Sequence, residues 1–372
     1  VIKRLLLLSG LAIVAVVCAH AAQWVWVAMF WWTDRYRPVA VPNYDLLGTP
    51  SYYGVLFLQK AAVFAVPAFL FATGFFVAYA HRGRADMSWK LVGSRLKALL
   101  IPYLIWSVVI LIGAALQGQV YSPAEYARRL LLGEAVPAYF YIVVLCQLYL
   151  LAPLLVPLAK NHGKALLVVS AGLLLVVIAV FYWKLAVVLG GHQSAAADVA
   201  LSLVPGLSIA RWLFFFVGGL VAGYSLAPLK AWLVKHRRAL VVIAVLSLPL
   251  AVCETEWIYR VTDLDWRPGI FTLTGSLYAV SSILAFLSFE GMPASCAKAL
   301  SILGGATFGI YLLHTTVLEL AARAIQKYAP QILAWPVLFQ LLLTAVAVGL
   351  PLLAMRAVQK SPAKPVYRYL FG

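Results

Sequence analysis

Residues 4–31 read RLLLLSGLAIVAVVCAHAAQWVWVAMFW: a charge at the start, an unbroken apolar run, His20 in the second half and tryptophans at the end. An α-helix rises 1.5 Å per residue, so this stretch is long enough to cross about 30 Å of hydrocarbon. Trp24, Trp26, Trp31 and Trp32 then fall where the helix leaves the bilayer, the level at which amphipathic rings collect.

The rest of the chain extends the pattern. Of its 372 residues 64% are hydrophobic and 11% charged, and the mean hydropathy is +0.95, a composition that excludes a water-soluble domain. Further apolar stretches lie near 55–80, 99–118, 138–157, 165–189, 207–226, 239–253, 270–289, 300–325 and 333–355. Segments of alternating hydrophobicity, which mark an outer-membrane barrel, are absent. The expected fold is all-α, a polytopic bundle of about 10 transmembrane helices forming a single membrane domain over residues 1–372.

The net charge of +17 follows alternate loops. The first and later odd sides carry Lys3, Arg4, Arg82, Arg84, Lys90, Arg95, Lys97, Lys160, Lys164, Lys230, Lys235, Arg237, Arg238, Lys298, Arg356, Lys360, Lys364 and Arg368, against only Asp86 and Glu290. Such a distribution points to membrane lipid and not to nucleic acid as the partner, and it puts both termini in the cytoplasm. Lys3, Arg4 and the small-residue pattern Ala19-His20-Ala21 also fit a cleaved signal peptide, which would remove His20. Cys18, Cys146, Cys253 and Cys296 are scattered, so neither a metal site nor a disulfide framework is expected.

Ionisable side chains deep in lipid mark function by default, and His20 and His314 both sit at such depth. His20 lies 16 residues beyond Arg4, roughly 24 Å above the cytoplasmic end, and His314 reaches a similar level from the flank near Lys298. A neutral imidazole takes a proton from a hydroxyl and returns it to a leaving group near physiological pH. The alternative is a hydrogen bond between packed helices.

Several segments, taken in order, resemble the integral-membrane acyltransferase-3 family. They are the stretch ending at His20; Val66-Pro67-Ala68-Phe69-Leu70-Phe71-Ala72-Thr73-Gly74-Phe75-Phe76; Arg95 to Trp106 with its Pro102-Tyr103; Tyr139-Phe140 with Tyr149-Leu150-Leu151-Ala152-Pro153; and Gly309-Ile310-Tyr311-Leu312-Leu313-His314. Their order and spacing cover roughly residues 3 to 356. Two positions depart from the family pattern. Ser9 stands where a basic residue usually lies eleven positions before the histidine, and the Arg-x-x-Arg motif survives as Arg95 with Ala98, Lys97 lying between.

The resemblance implies a bacterial plasma (inner) membrane enzyme that moves an acyl group, usually acetyl, from cytoplasmic acyl-CoA to a hydroxyl of an envelope or exported carbohydrate or glycolipid. Acyl-CoA would be a co-substrate, with no tightly bound cofactor. His20 and His314 become the catalytic candidates, and Arg95 and Lys97 the donor-binding ones, although positive-inside bias accounts equally for a basic loop.

Glu319, Arg211 and Tyr149 are candidate substrate-binding residues. Glu319 is expected to pair with Arg211 or orient His20, and Tyr149 and Tyr311 to donate to a developing carbonyl charge; snorkelling and packing are the alternatives. Lys60 is a further charge beside a span. The outer stretches Glu254 to Arg260 and Asp263 to Arg267 interleave carboxylates with rings, as a sugar site or a solvated loop would. Gly218-Gly219 and Gly304-Gly305 are expected to serve close helix packing. Two other classes stay open: a proton-coupled transporter or lipid-linked oligosaccharide flippase using His20 and Glu319, and a structural membrane subunit. The sequence leaves the oligomeric state undefined.

Overall fold

In the computed structural model, which describes residues 2–81, 88–191, 194–203, 206–262, 271–289 and 291–372, the apolar stretches form helices. In chain order these are α1 (Ile2–Phe30), α2 (Pro50–Ala61), α3 (Ala65–Ala80), α4 (Trp89–Leu116), α5 (Pro123–Leu132), α6 (Phe140–Leu189), α7 (Ala195–Ser202), α8 (Ile209–Tyr224), α9 (Leu226–Thr262), α10 (Leu273–Ser288), α11 (Ala294–Gly305), α12 (Thr307–Tyr328), α13 (Pro336–Lys360) and α14 (Tyr367–Phe371). Among the described residues there is no strand, only an isolated bridge between Asp34 and Pro38. Backbone satisfied within each segment is what lipid demands.

Seven helical stretches are long and apolar enough to cross a membrane, and two apolar helices, Ile209–Tyr224 and Leu273–Ser288, are shorter. The longest stretch, Pro137–Leu189, breaks at His162, whose φ of −132° leaves the helical region, so it supplies two passes. All ten expected spans thus have a helical counterpart. Local signals set several ends: Thr49 and Ser88 accept the Tyr52 and Leu91 amides at the starts of α2 and α4, and Gly133 ends α5 at φ 72°.

Glycine fixes two helix pairs. A Cβ on Gly10 would collide with the Leu300 carbonyl of α11 and one on Gly304 with the Leu6 carbonyl of α1; Gly74 and Gly219 stand in the same relation across α3 and α8. Small residues let backbones meet where lipid offers no hydrophobic drive to associate. α1 is thereby clamped into the core, with Leu5, Leu8, Ala12, Ile13 and Val17 fully buried.

Candidate functional site

α1 and α12 carry the two histidines into one place: the His20 and His314 rings lie 5.2 Å apart between centroids, tilted by 53°. His314 is fully buried, and its Nδ1 lies 2.7 Å from the Tyr311 carbonyl oxygen. A carbonyl can only accept, so the neutral ring keeps its hydrogen on Nδ1 and leaves Nε2 as a bare lone pair. That Nε2 is buried with no hydrogen-bond partner among the described residues. A polar atom left in that state is one of the rarer features of a folded interior.

His20 faces a cavity of about 590 Å³ lined also by Gln23, Trp24, Trp106, Gln117, Thr315 and Glu319. Gln23 is in hydrogen-bond reach of His20, and the Thr315 hydroxyl is buried without a partner among the described residues. A second space of about 640 Å³ shares Ile110, Ala114, Gln119, Ala135 and Pro137 with the first and extends to Arg129 and Glu134 beneath α5. Polar groups converging on an apolar-walled recess are what a small-ligand site requires.

Behind the cavity lining, tyrosines hold the backbone. Tyr139 donates to the Leu312 carbonyl at 2.7 Å and Tyr311 to the Ala138 carbonyl, a reciprocal exchange that pins residues 137–139 to α12 beside His314. Tyr141 meets Tyr311 edge to face at 5.7 Å. Phe308 stacks on Tyr311 one turn nearer the start of α12, and there α14 is inserted. Trp106 Nε1 donates to the Leu370 carbonyl at 2.8 Å, and Phe371 is buried beside the Trp106 ring. Arg95 stands eleven residues before Trp106 on α4, about 16 Å toward the start of that helix. It is exposed, as is Lys97, while Tyr149 is buried within range of the Arg95 charge.

The remaining candidates are placed elsewhere or differently. Glu319 lines the cavity, but its partner is Arg323 on its own helix, Nη2 to Oε1 2.9 Å, and not Arg211. Arg323 in turn sits over the Trp24 ring at 5.6 Å. Arg211 lies over Phe271, 4.5 Å from the ring centroid, and lines neither cavity. Lys60 is 4% exposed, within range of Glu254, so it does not snorkel. Arg82 and Arg84 of the basic loop lie outside the described residues.

The stretch Glu254 to Arg260 is a helix and not a loop, since α9 continues to Thr262. Its carboxylates turn inward: Glu254 accepts from Tyr182 and Thr274, and Glu256 from Tyr52 at 2.5 Å and Arg260 at 2.7 Å. With helical backbone bonds satisfied locally, the carboxylates tie helices together instead of reaching for solvent. Asp263 to Arg267 lies outside the described residues.

Sequence reading missed much of the cavity wall: Gln23, Gln117, Gln119 and Thr315 carry no motif. For Gln23 a signal existed. Gln23 and Trp24 follow His20 by three and four residues, the spacing that puts side chains on one helix face, so Trp24 belongs to the cavity as well as to the interfacial belt.

The chain is thus a polytopic helical bundle that apposes two imidazoles, one fully buried and one on the wall of a polar recess. The chain belongs to the acyltransferase-3 family, whose model, described as an acyltransferase domain, matches residues 3–356. It is a membrane-embedded acyltransferase. It is also similar to a probable poly-beta-1,6-N-acetyl-D-glucosamine export protein of Staphylococcus aureus (strain MRSA252), at 18% identity over 267 residues, covering 71% of each chain. No solved structure matches.

Proposed function

We propose that this acyltransferase moves an acyl group, with acetyl the expected one, from cytoplasmic acyl-CoA to a hydroxyl of an envelope or exported carbohydrate across a bacterial plasma membrane. The observation that carries the reading is the histidine pair: one ring on the cavity wall, the other behind it with an unpartnered Nε2. His20 takes the proton of the acceptor hydroxyl as its oxygen attacks the thioester carbonyl. A carbon–oxygen bond forms, the carbon–sulfur bond breaks, and the same proton passes to the departing thiolate. His314 positions His20: a small rotation brings a His20 N–H to its Nε2 lone pair and presents the other His20 nitrogen to the hydroxyl. The Thr315 hydroxyl is the donor available for the charge that develops on the carbonyl oxygen.

Arg95 and Lys97 receive the phosphates of CoA at the cytoplasmic end of α4, Arg95 with a fork suited to bidentate contact. The thioester arm then climbs along α4 past Trp106, which requires α14 to move aside. Acceptor sugar enters from the outer face through the joined cavities. A name that speaks of poly-N-acetylglucosamine export on a similar protein supports a glycan acceptor, and it equally supports a second reading in which the chain conducts a glycan and transfers nothing.

The deciding assay uses protein in lipid nanodiscs with radiolabelled acetyl-CoA and an N-acetylglucosamine oligosaccharide. Label is expected on the glycan with wild type and not with His20→Ala. Equal transfer by wild type, His20→Ala and Arg95→Ala overturns the proposal, and proton-coupled glycan uptake without transfer establishes the second reading.

A further inference from the structure

A groove of about 470 Å³ opens between α3, α6, α8, α9 and α10 and shares no lining residue with the histidine cavity. Its depth follows from the chain. Lys164 comes two residues after the bend at His162 that joins the two passes of α6, and Ser225 and Pro228 flank the turn between α8 and α9. Both turns are cytoplasmic by the charge rule. Phe71, Phe215 and Ile283 lie further along their helices, toward the bilayer centre. The groove therefore begins at the inner interface and runs up into the hydrocarbon, with carbon almost everywhere on its walls.

A glycine keeps it open. Gly219 is required by packing, because a Cβ there would strike the Phe71 backbone; at its neighbour Gly218 a Cβ would meet only the Phe71 ring, at 3.6 Å, an ordinary contact. Helix approach thus explains one member of the Gly218-Gly219 pair and not the other. The absent side chain at 218 leaves volume in the groove.

The mouth is basic. No acidic residue occurs between Glu134 and Asp198 or between Asp198 and Glu254, and Lys160, Lys164, Lys230, Lys235, Arg237 and Arg238 outnumber Asp86 and Glu290 on this face. Trp232 lines the mouth at headgroup level and is 44% exposed. We propose that the groove is a lipid site that takes one acyl chain of an anionic phospholipid from the cytoplasmic leaflet, with the phosphate held at Lys164. The apolar walls select the chain, and the lysine at the mouth selects the charge.

The test uses the whole protein in phosphatidylcholine nanodiscs doped with a phosphatidylglycerol probe carrying a photoreactive diazirine in its acyl chain, with labelled peptides mapped by mass spectrometry. Labelling is expected on α8 and α10 at the groove, competed by unlabelled phosphatidylglycerol about fivefold better than by phosphatidylcholine, the preference that one lysine near an anionic headgroup confers. Gly218→Leu displaces about two methylenes of the chain and is expected to cut groove labelling about tenfold. Lys164→Glu, on an exposed position that folding does not depend on, is expected to abolish the anionic preference, and it keeps the test decisive should Gly218→Leu fail to fold. Labelling spread evenly over lipid-facing helices, equal competition by the two lipids, or replacement of the probe by a second copy of the chain crosslinked at this face would each overturn the proposal.

Discussion

Around Glu256 every strong polar group is used: Tyr52 and Arg260 both donate to it, and Tyr53 joins at 3.3 Å. Around His314 the opposite holds, since its Nε2 and the Thr315 hydroxyl are buried beside a cavity without partners among the described residues. Both constellations lie within one helical bundle, and each would be expensive to bury unsatisfied. Saturation fits a cluster whose work is done on folding, whereas unpaired groups beside a recess fit the proposed acyl-transfer site.

The contrast is broken most directly at His20. His20→Ala is expected to lower acyl transfer by about a hundredfold to ten-thousandfold, the range that general base catalysis supplies, with an unchanged melting temperature. A parallel fall in melting temperature would return the histidine to the structural class. His314→Gln should retain part of the activity, because an amide can still accept from His20.

Glu256→Ala should do the reverse. It leaves the Tyr52 hydroxyl, on a 1% exposed residue, without its charged acceptor, and the expected cost is about 2 kcal/mol of stability. Thermal unfolding in nanodiscs reads that loss, while transfer per folded molecule stays within about twofold of wild type. A large loss of transfer at full stability would show that the saturated cluster also serves the chemistry.

Arg95→Ala comes next in size. Loss of a charge-assisted contact to phosphate is expected to raise KM for acyl-CoA by about tenfold with kcat little changed, and a fall in kcat alone would place Arg95 outside donor binding. Phe371→Ala, which loosens α14 beneath the histidines, should shift KM in the opposite direction if that segment must leave for the thioester arm to pass.

These two clusters also show what the sequence could reveal. Every span was legible because a 20-residue apolar run has few other fates in water or lipid, and His20 with His314 stood out because charge-capable rings are rare at that depth. The Glu254 to Arg260 stretch left a sugar site and a solvated loop open for a related reason: carboxylates and aromatics look interfacial one residue at a time, and only tertiary partners such as Tyr52, Tyr182 and Thr274 show that α9 carries them inward. The cavity wall was hidden in the same way. Gln117 and Thr315 are ordinary residues whose importance comes from which helix faces which, a relation that periodicity within one segment does not contain.

A third arrangement of charge calibrates the other two. On α5, outside the spans, Glu125 pairs with Arg128 at 3.0 Å and Arg129 at 3.1 Å in the open. The Arg128 hydrogen bond chiefly holds the Glu125 carboxyl below its ordinary value of 4.5. A lowered folded value means the pair contributes at neutral pH and above the unfolded value, and that its contribution is lost as pH falls through the folded value. Water screens such pairs, so Glu125→Gln should speed amide exchange in α5 by no more than about threefold at neutral pH, with the difference vanishing in acid. Because Arg129 also lines the space adjoining the histidine cavity, the same variant asks whether α5 is a mere rim. A loss of transfer beyond about tenfold, with α5 still protected, would move that helix from the solvated class to the acceptor site and redraw the boundary between used and waiting polar groups.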